Sequence, residues 1–81
     1  MFLRVEECEH LKDYVLRIRF NTGEVAEVDL KDELYGEIFQ PLQSIEFFKK
    51  CTCNPETNTI EWPNGADFAP EFLLEHGKVL A

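Results

Sequence analysis

The sequence predicts one α+β domain over residues 1–81: a three-stranded antiparallel meander, a short helical segment, a second β-hairpin and a C-terminal helix, in the order βββαββα. Three observations predict it. Apolar and charged residues alternate up to Leu30, the period of half-buried strands. Turn chemistry recurs at short, regular spacing, with no internal repeat or low-complexity stretch. Near the end, the chain runs from the Pro70-Glu71 pair through an apolar segment to Gly77, a helix with its start and stop marked.

The first strand is expected over Phe2 to Glu9, with Leu3 and Val5 on one face and Arg4 and Glu6 on the other, followed by a turn at "HLKD". "YVLRIRF" then places Tyr14, Leu16, Ile18 and Phe20 on one face against Arg17 and Arg19. "FNTGE" reads as a hairpin loop, because Gly23 has no Cβ to clash at a left-handed position. In the third strand, "EVAEVDL", Ala26, Val28 and Leu30 alternate with Glu27 and Asp29, giving a meander with one apolar and one charged face. Beyond Asp29 the spacing turns helical, but Pro41 forbids one continuous helix. A short turn is expected near Glu37 to Gln40 and a helical turn or two after Ser44, whose hydroxyl is expected to cap, with Leu42, Ile45 and Phe48 covering the sheet. "KCTCN" and "NTIEW" form the second hairpin. "APEFLLEHG" closes the chain as a helix, with Pro70 in its first turn and Glu71 at its positive end.

A chain of 81 residues buries only about 60–65% of its unfolded surface, enough for one small core and no second domain. With 44% hydrophobic residues, that core needs no metal or disulfide to form. Eight basic against sixteen acidic residues give a net charge of −8. This field repels phosphate backbones and disfavours direct nucleic-acid binding, while it favours solubility and a basic protein partner. No apolar stretch has the length of a signal peptide or a membrane span, and the three cysteines are an odd number, so a cytoplasmic protein without membrane contact is expected.

"VLRIRFNTGEVAEVDL" and "IEWPNGADFAPEFL" together resemble the small bacterial family catalogued as domain of unknown function 2442. Phe20, Gly23, Val28, Asp29, Leu30, Phe39, Leu42, Trp62, Pro63, Asn64, Gly65, Asp67, Pro70 and Glu71 stand where that family's pattern has them. The resemblance covers nearly the whole chain and implies a small antiparallel sheet with helices on one side. Some members of the family resemble one partner of toxin–antitoxin gene pairs, which implies an interaction or regulatory role, with this chain as the antitoxin-like member. Other members carry an appended helix-turn-helix. These 81 residues show no such pattern, so no DNA-binding role is carried over.

Residues 60–73 hold the densest chemistry. Pro63, Asn64 and Gly65 are turn residues, and Asp67 is placed to accept hydrogen bonds from turn or helix amides. Two readings stand: a structural clasp between the last strand and the last helix, with Gly23, Pro63, Gly65 and Pro70 as structural turn positions, or a binding loop using Trp62, Asn64, Asp67 and Glu71. The second reading makes the chain a small-ligand or metal-binding domain. Cys8, Cys51 and Cys53, with His10, can share a cross-strand cluster, but "CTC" lacks the two-residue spacing of a zinc knuckle, and no metal or other cofactor is expected. His76 suits the negative end of the last helix. No nucleophile with a positioned base and no glycine-rich phosphate loop is present, so catalysis is not expected. The favoured function is an interaction module that binds another protein or forms a homodimer.

Overall fold

The computed structural model describes residues 2–80. Strands β1 (Val5–Lys12), β2 (Val15–Phe20) and β3 (Val25–Asp29) form the expected antiparallel meander. A 3-10 turn at Lys31–Glu33 and another at Gln40–Gln43 lead to helix α1 (Ile45–Phe48). Strands β4 (Thr52–Asn54) and β5 (Thr59–Glu61) make the second hairpin, and helix α2 (Pro70–His76) follows. A two-residue strand, β6 (Lys78–Val79), returns along β3, so the main sheet has the order β1-β2-β3-β6, with β4-β5 as a separate ribbon. The alternation of "KVL" is too short to have signalled β6.

The inward faces of β2 and β3 bury Leu16, Ile18, Phe20, Ala26 and Val28 completely. Leu42, Phe48, Ile60 and Leu73 close over them from the other elements, also without solvent exposure. The expectation for Ile45 is corrected: it is 39% exposed, because α1 is a single turn that directs only Phe48 into the core. Ser44 is the N-cap residue but makes no side-chain capping bond; its backbone carbonyl accepts Phe47 N–H and Phe48 N–H instead. The turn expected at Glu37 to Gln40 is closed by Gly36, whose carbonyl accepts Phe39 N–H and Gln40 N–H, and the 3-10 turn then continues through Pro41 to Gln43.

Strand β1 begins three residues later than expected and runs through the "HLK" segment. The turn falls at Asp13, which takes a positive φ of 42°, and His10 Nε2 lies 2.8 Å from the Asp13 carbonyl oxygen. Residues before Val5 are tied to the first hairpin loop: Arg4 N–H donates to Asn21 Oδ1, and Asn21 N–H to the Arg4 carbonyl. A register shift between Val5 and Glu7 leaves Glu6 as an extra residue. This bulge reverses the parity of the strand. Strict alternation from Val5 puts Cys8 and His10 among the charged residues; the bulge instead sets Cys8 opposite Ile18 and His10 opposite Leu16, on the core side. It also exposes Glu6 and Glu7 together, and Arg19 bridges both, at 3.0 and 2.6 Å.

The outer face carries a row of alternating charge. Glu9 lies opposite Arg17, Arg17 opposite Glu27, and Glu27 opposite Lys78. Arg17 and Glu9 are 3.5 Å apart and both largely exposed. Exposed pairs of this kind contribute about 0.2–1 kcal/mol each, so the row selects register more than it supplies stability.

Candidate functional site

The same turn closes both hairpin-like reversals. In "FNTGE", Gly23 N–H donates to the Phe20 carbonyl and Phe20 N–H to that of Glu24; in "WPNGA", Gly65 N–H donates to Trp62 and Trp62 N–H to Ala66. Gly23 and Gly65 sit at φ 92° and 89°, the left-handed position after a three-residue reversal, where a Cβ is strained. The second turn extends to a bridge between Glu61 and Asp67, which carries the backbone from β5 toward α2.

This geometry makes residues 62–66 a clasp. Trp62 is 2% exposed, and its indole N–H donates to the Phe48 carbonyl at 2.6 Å. Its ring packs 5.6 Å from that of Phe48 and edge-on to Phe68 at 5.9 Å. Asn64 Nδ2 donates to the Ile38 carbonyl at 2.8 Å, and its Oδ1 accepts Ala66 N–H at 3.1 Å. Of the residues named for a binding loop, Trp62 is enclosed in the core and the Asn64 amide is occupied by backbone. Replacing Asn64 by alanine is expected to cost about 1–2 kcal/mol, as two backbone partners lose their bonds. A urea titration of the variant checks it; no change would mean that the Ile38 loop is held by other contacts.

Asp67 is not the amide acceptor the sequence suggests. It is exposed, and among the described residues its carboxylate takes no hydrogen bond; Asn64 does that work two residues into the turn. Asp67 instead borders a groove of about 290 Å³ together with Glu33, Tyr35, Phe39, Phe68 and Phe72. Glu71 is exposed on the first turn of α2.

The groove floor is a run of stacked rings. Phe39 stacks on Phe68 at 4.8 Å, Phe68 on Phe72 at 5.4 Å, and Phe72 on His76 at 5.1 Å. Each such pair contributes about 0.5–1.5 kcal/mol beyond its buried area. Three of these rings are only half-buried, and Tyr35 at the rim is 72% exposed. His76 is fixed from below, its Nε2 3.0 Å from the Asp29 carbonyl oxygen, and its Nδ1 lies 3.9 Å from Glu33. Two carboxylates, Glu33 and Asp67, line the groove, and among the described residues no Lys or Arg does. Reading the sequence by elements missed this surface. Its signal was the spacing of Phe68, Phe72 and His76, four residues apart along one side of α2 and its approach.

The thiols meet only in part. Cys51 S–H donates to Cys8 Sγ at 3.6 Å, while Cys53 turns to the Val5 carbonyl at 3.0 Å. His10 stays at its turn. Among the described residues, no three Cys, His, Asp or Glu side chains converge as a metal site. No helix of the described residues is long and apolar enough to cross a membrane.

Fold and groove define a small α+β domain with an aromatic, acid-rimmed surface and a clasp that holds it in shape. The family model described as "Protein of unknown function (DUF2442)" matches residues 5–79, and the chain belongs to that family. No curated protein and no solved structure matches it.

Proposed function

We propose that the protein is an interaction module whose groove takes a basic, amphipathic segment of a partner protein. The observation that carries this reading is the half-exposed stack Phe39–Phe68–Phe72, rimmed by Glu33 and Asp67 with no cation. Aromatic rings with part of their area free are the usual anchors of protein recognition, and a carboxylate rim selects Lys and Arg on the incoming chain. The net charge of −8 adds long-range attraction of the same sign. In a two-protein pair this chain is the acidic, antitoxin-like member, covering a basic surface of its partner.

A small-ligand role has less support, because the groove, at about 290 Å³, is at the lower limit of ligand pockets (roughly 300–1,000 Å³) and its polar groups are two rim carboxylates rather than a convergent set.

The test uses an isotope-labelled full chain and a synthetic amphipathic peptide of Lys, Leu and Phe, followed by amide shift mapping. Shifts are expected at Tyr35, Phe39, Phe68 and Phe72, weakening as salt rises past the point where the Debye length falls to about 8 Å. Tyr35→Ala, at an exposed site, is expected to weaken binding about tenfold without altering stability. Shifts confined to the charged sheet face, or none, would overturn the proposal. So would a stable dimer by light scattering whose interface covers the groove, which replaces the partner with a second copy.

A further inference from the structure

Cys8 and Cys51 are 43 positions apart in the chain, yet their sulfurs are in contact at 3.6 Å. Two features bring them together. The bulge at Glu6 turns Cys8 to the inner side of β1, and α1 ends so that Cys51 N–H donates to the Phe48 carbonyl just before β4. A depression of about 540 Å³ is lined by Cys8 and Cys51 together with Glu7, Glu9, Arg17 and Arg19, and both cysteines are partly exposed. The interaction groove is lined by other residues and does not use this pair.

We propose that Cys8 and Cys51 form a reversible oxidant-responsive pair, with Cys8 the nucleophile toward a hydroperoxide and Cys51 the resolving thiol. The order of the two is the one that the contact between them favours. Cys51 donates and Cys8 accepts, which favours negative charge on Cys8 and holds its thiol below the ordinary range against the opposing effect of burial. The same bond, with burial, pushes Cys51 up and keeps its proton in place. Cys53 donates to a backbone carbonyl and stands outside the pair.

The step balances. Cys8 thiolate attacks one peroxide oxygen, the O–O bond breaks, and the leaving oxygen departs as water or alcohol, leaving a sulfenic acid on Cys8. Cys51 sulfur then attacks Cys8 sulfur; the hydroxyl leaves with the Cys51 proton as water. Two electrons pass from the two thiols to the peroxide. Closing to a disulfide of about 2.05 Å asks the sulfurs to approach by about 1.5 Å. The bond would tie β1 of the main sheet to the start of the β4-β5 ribbon, joining parts of the fold that otherwise meet through side-chain packing and two hydrogen bonds at Val5, whose N–H donates to the Asn58 carbonyl and whose carbonyl accepts the Cys53 thiol.

The reduced full chain is treated with a small molar excess of hydrogen peroxide and mapped without reducing agent. The expected product is a monomer two hydrogens lighter, with one Cys8–Cys51 cross-linked peptide, reversed by dithiothreitol and unfolding at higher urea than the reduced form. Cys53→Ser is expected to behave as the parent does. Cys51→Ser is expected to leave a sulfenic acid on Cys8 that a cyclic dione traps, and Cys8→Ser to slow peroxide consumption about tenfold. Differential alkylation of the unmutated protein, with Cys8 labelled first, gives the same assignment without any variant. A Cys51–Cys53 or intermolecular bridge, oxygen addition with no disulfide, or three unreacted thiols would overturn the proposal.

Discussion

Replacing Trp62 by alanine is expected to destabilise the protein by about 3–5 kcal/mol, the range for deleting a large buried aromatic. A domain of this size has a total stability of roughly 4–12 kcal/mol, so the variant should lose from about a quarter of it to all of it. The size of the effect follows from position. The Trp62 ring lies between Phe48 and Phe68, so its removal leaves a cavity beside the α1 turn and also undercuts the stacked rings of the groove. Trp62→Phe separates the ring from its donor. Phe48 carbonyl keeps a second, longer partner in Cys51 N–H at 3.4 Å, so losing the indole bond is expected to cost only about 1 kcal/mol, plus the smaller ring's missing area. Urea unfolding by far-UV circular dichroism measures both, because the variants lack the sole tryptophan. In the parent, that tryptophan should be shielded from acrylamide. A Trp62→Ala variant as stable as the parent would show that the ring is not part of the core.

The same residue shows what was legible in the sequence. The alternation of "VLRIRF" and "VAEVDL" places Leu16, Ile18, Phe20, Ala26, Val28 and Leu30 inward, and all six are fully buried. Period-two patterning works there because both strands are regular and pair in unbroken register. In β1 the pattern misleads, since one extra residue at Glu6 exchanges the two faces, and two consecutive glutamates carry no local mark of a bulge. The turn chemistry of Pro63, Asn64 and Gly65 was readable from the residue types, but the division of labour between Asn64 and Asp67 was not. Both can accept an amide bond, and only the path of the turn decides which does. The groove was hidden for a related reason. Phe39 belongs to a segment without regular periodicity, and nothing local ties it to Phe68, which it meets across 29 positions at 4.8 Å.

Gly77→Ala is expected to destabilise the fold by about 1–3 kcal/mol, although a glycine that ends a helix is usually credited with a different role. Its backbone is ordinary: φ −81° and ψ 171° suit any residue. The requirement is space. A Cβ here would lie 2.7 Å from Val28 Cγ2 and 2.9 Å from the Leu73 carbonyl oxygen, with Ala26 Cβ at 3.2 Å. None of these can yield cheaply. Val28 and Ala26 are fully buried in β3, and the Leu73 oxygen accepts the Gly77 N–H itself. The close approach lets the chain leave α2 flat against β3 and continue as β6, with Leu80 N–H reaching the Val25 carbonyl at 2.7 Å. The sign of the effect separates the two accounts. Were the site unconstrained, alanine at this φ would stabilise by about 0.4–1 kcal/mol through the unfolded chain, because it has fewer conformations to lose. A loss of stability in urea, together with faster amide exchange at Leu80, is the outcome that close packing requires; a gain would mean that α2 and β3 have room between them.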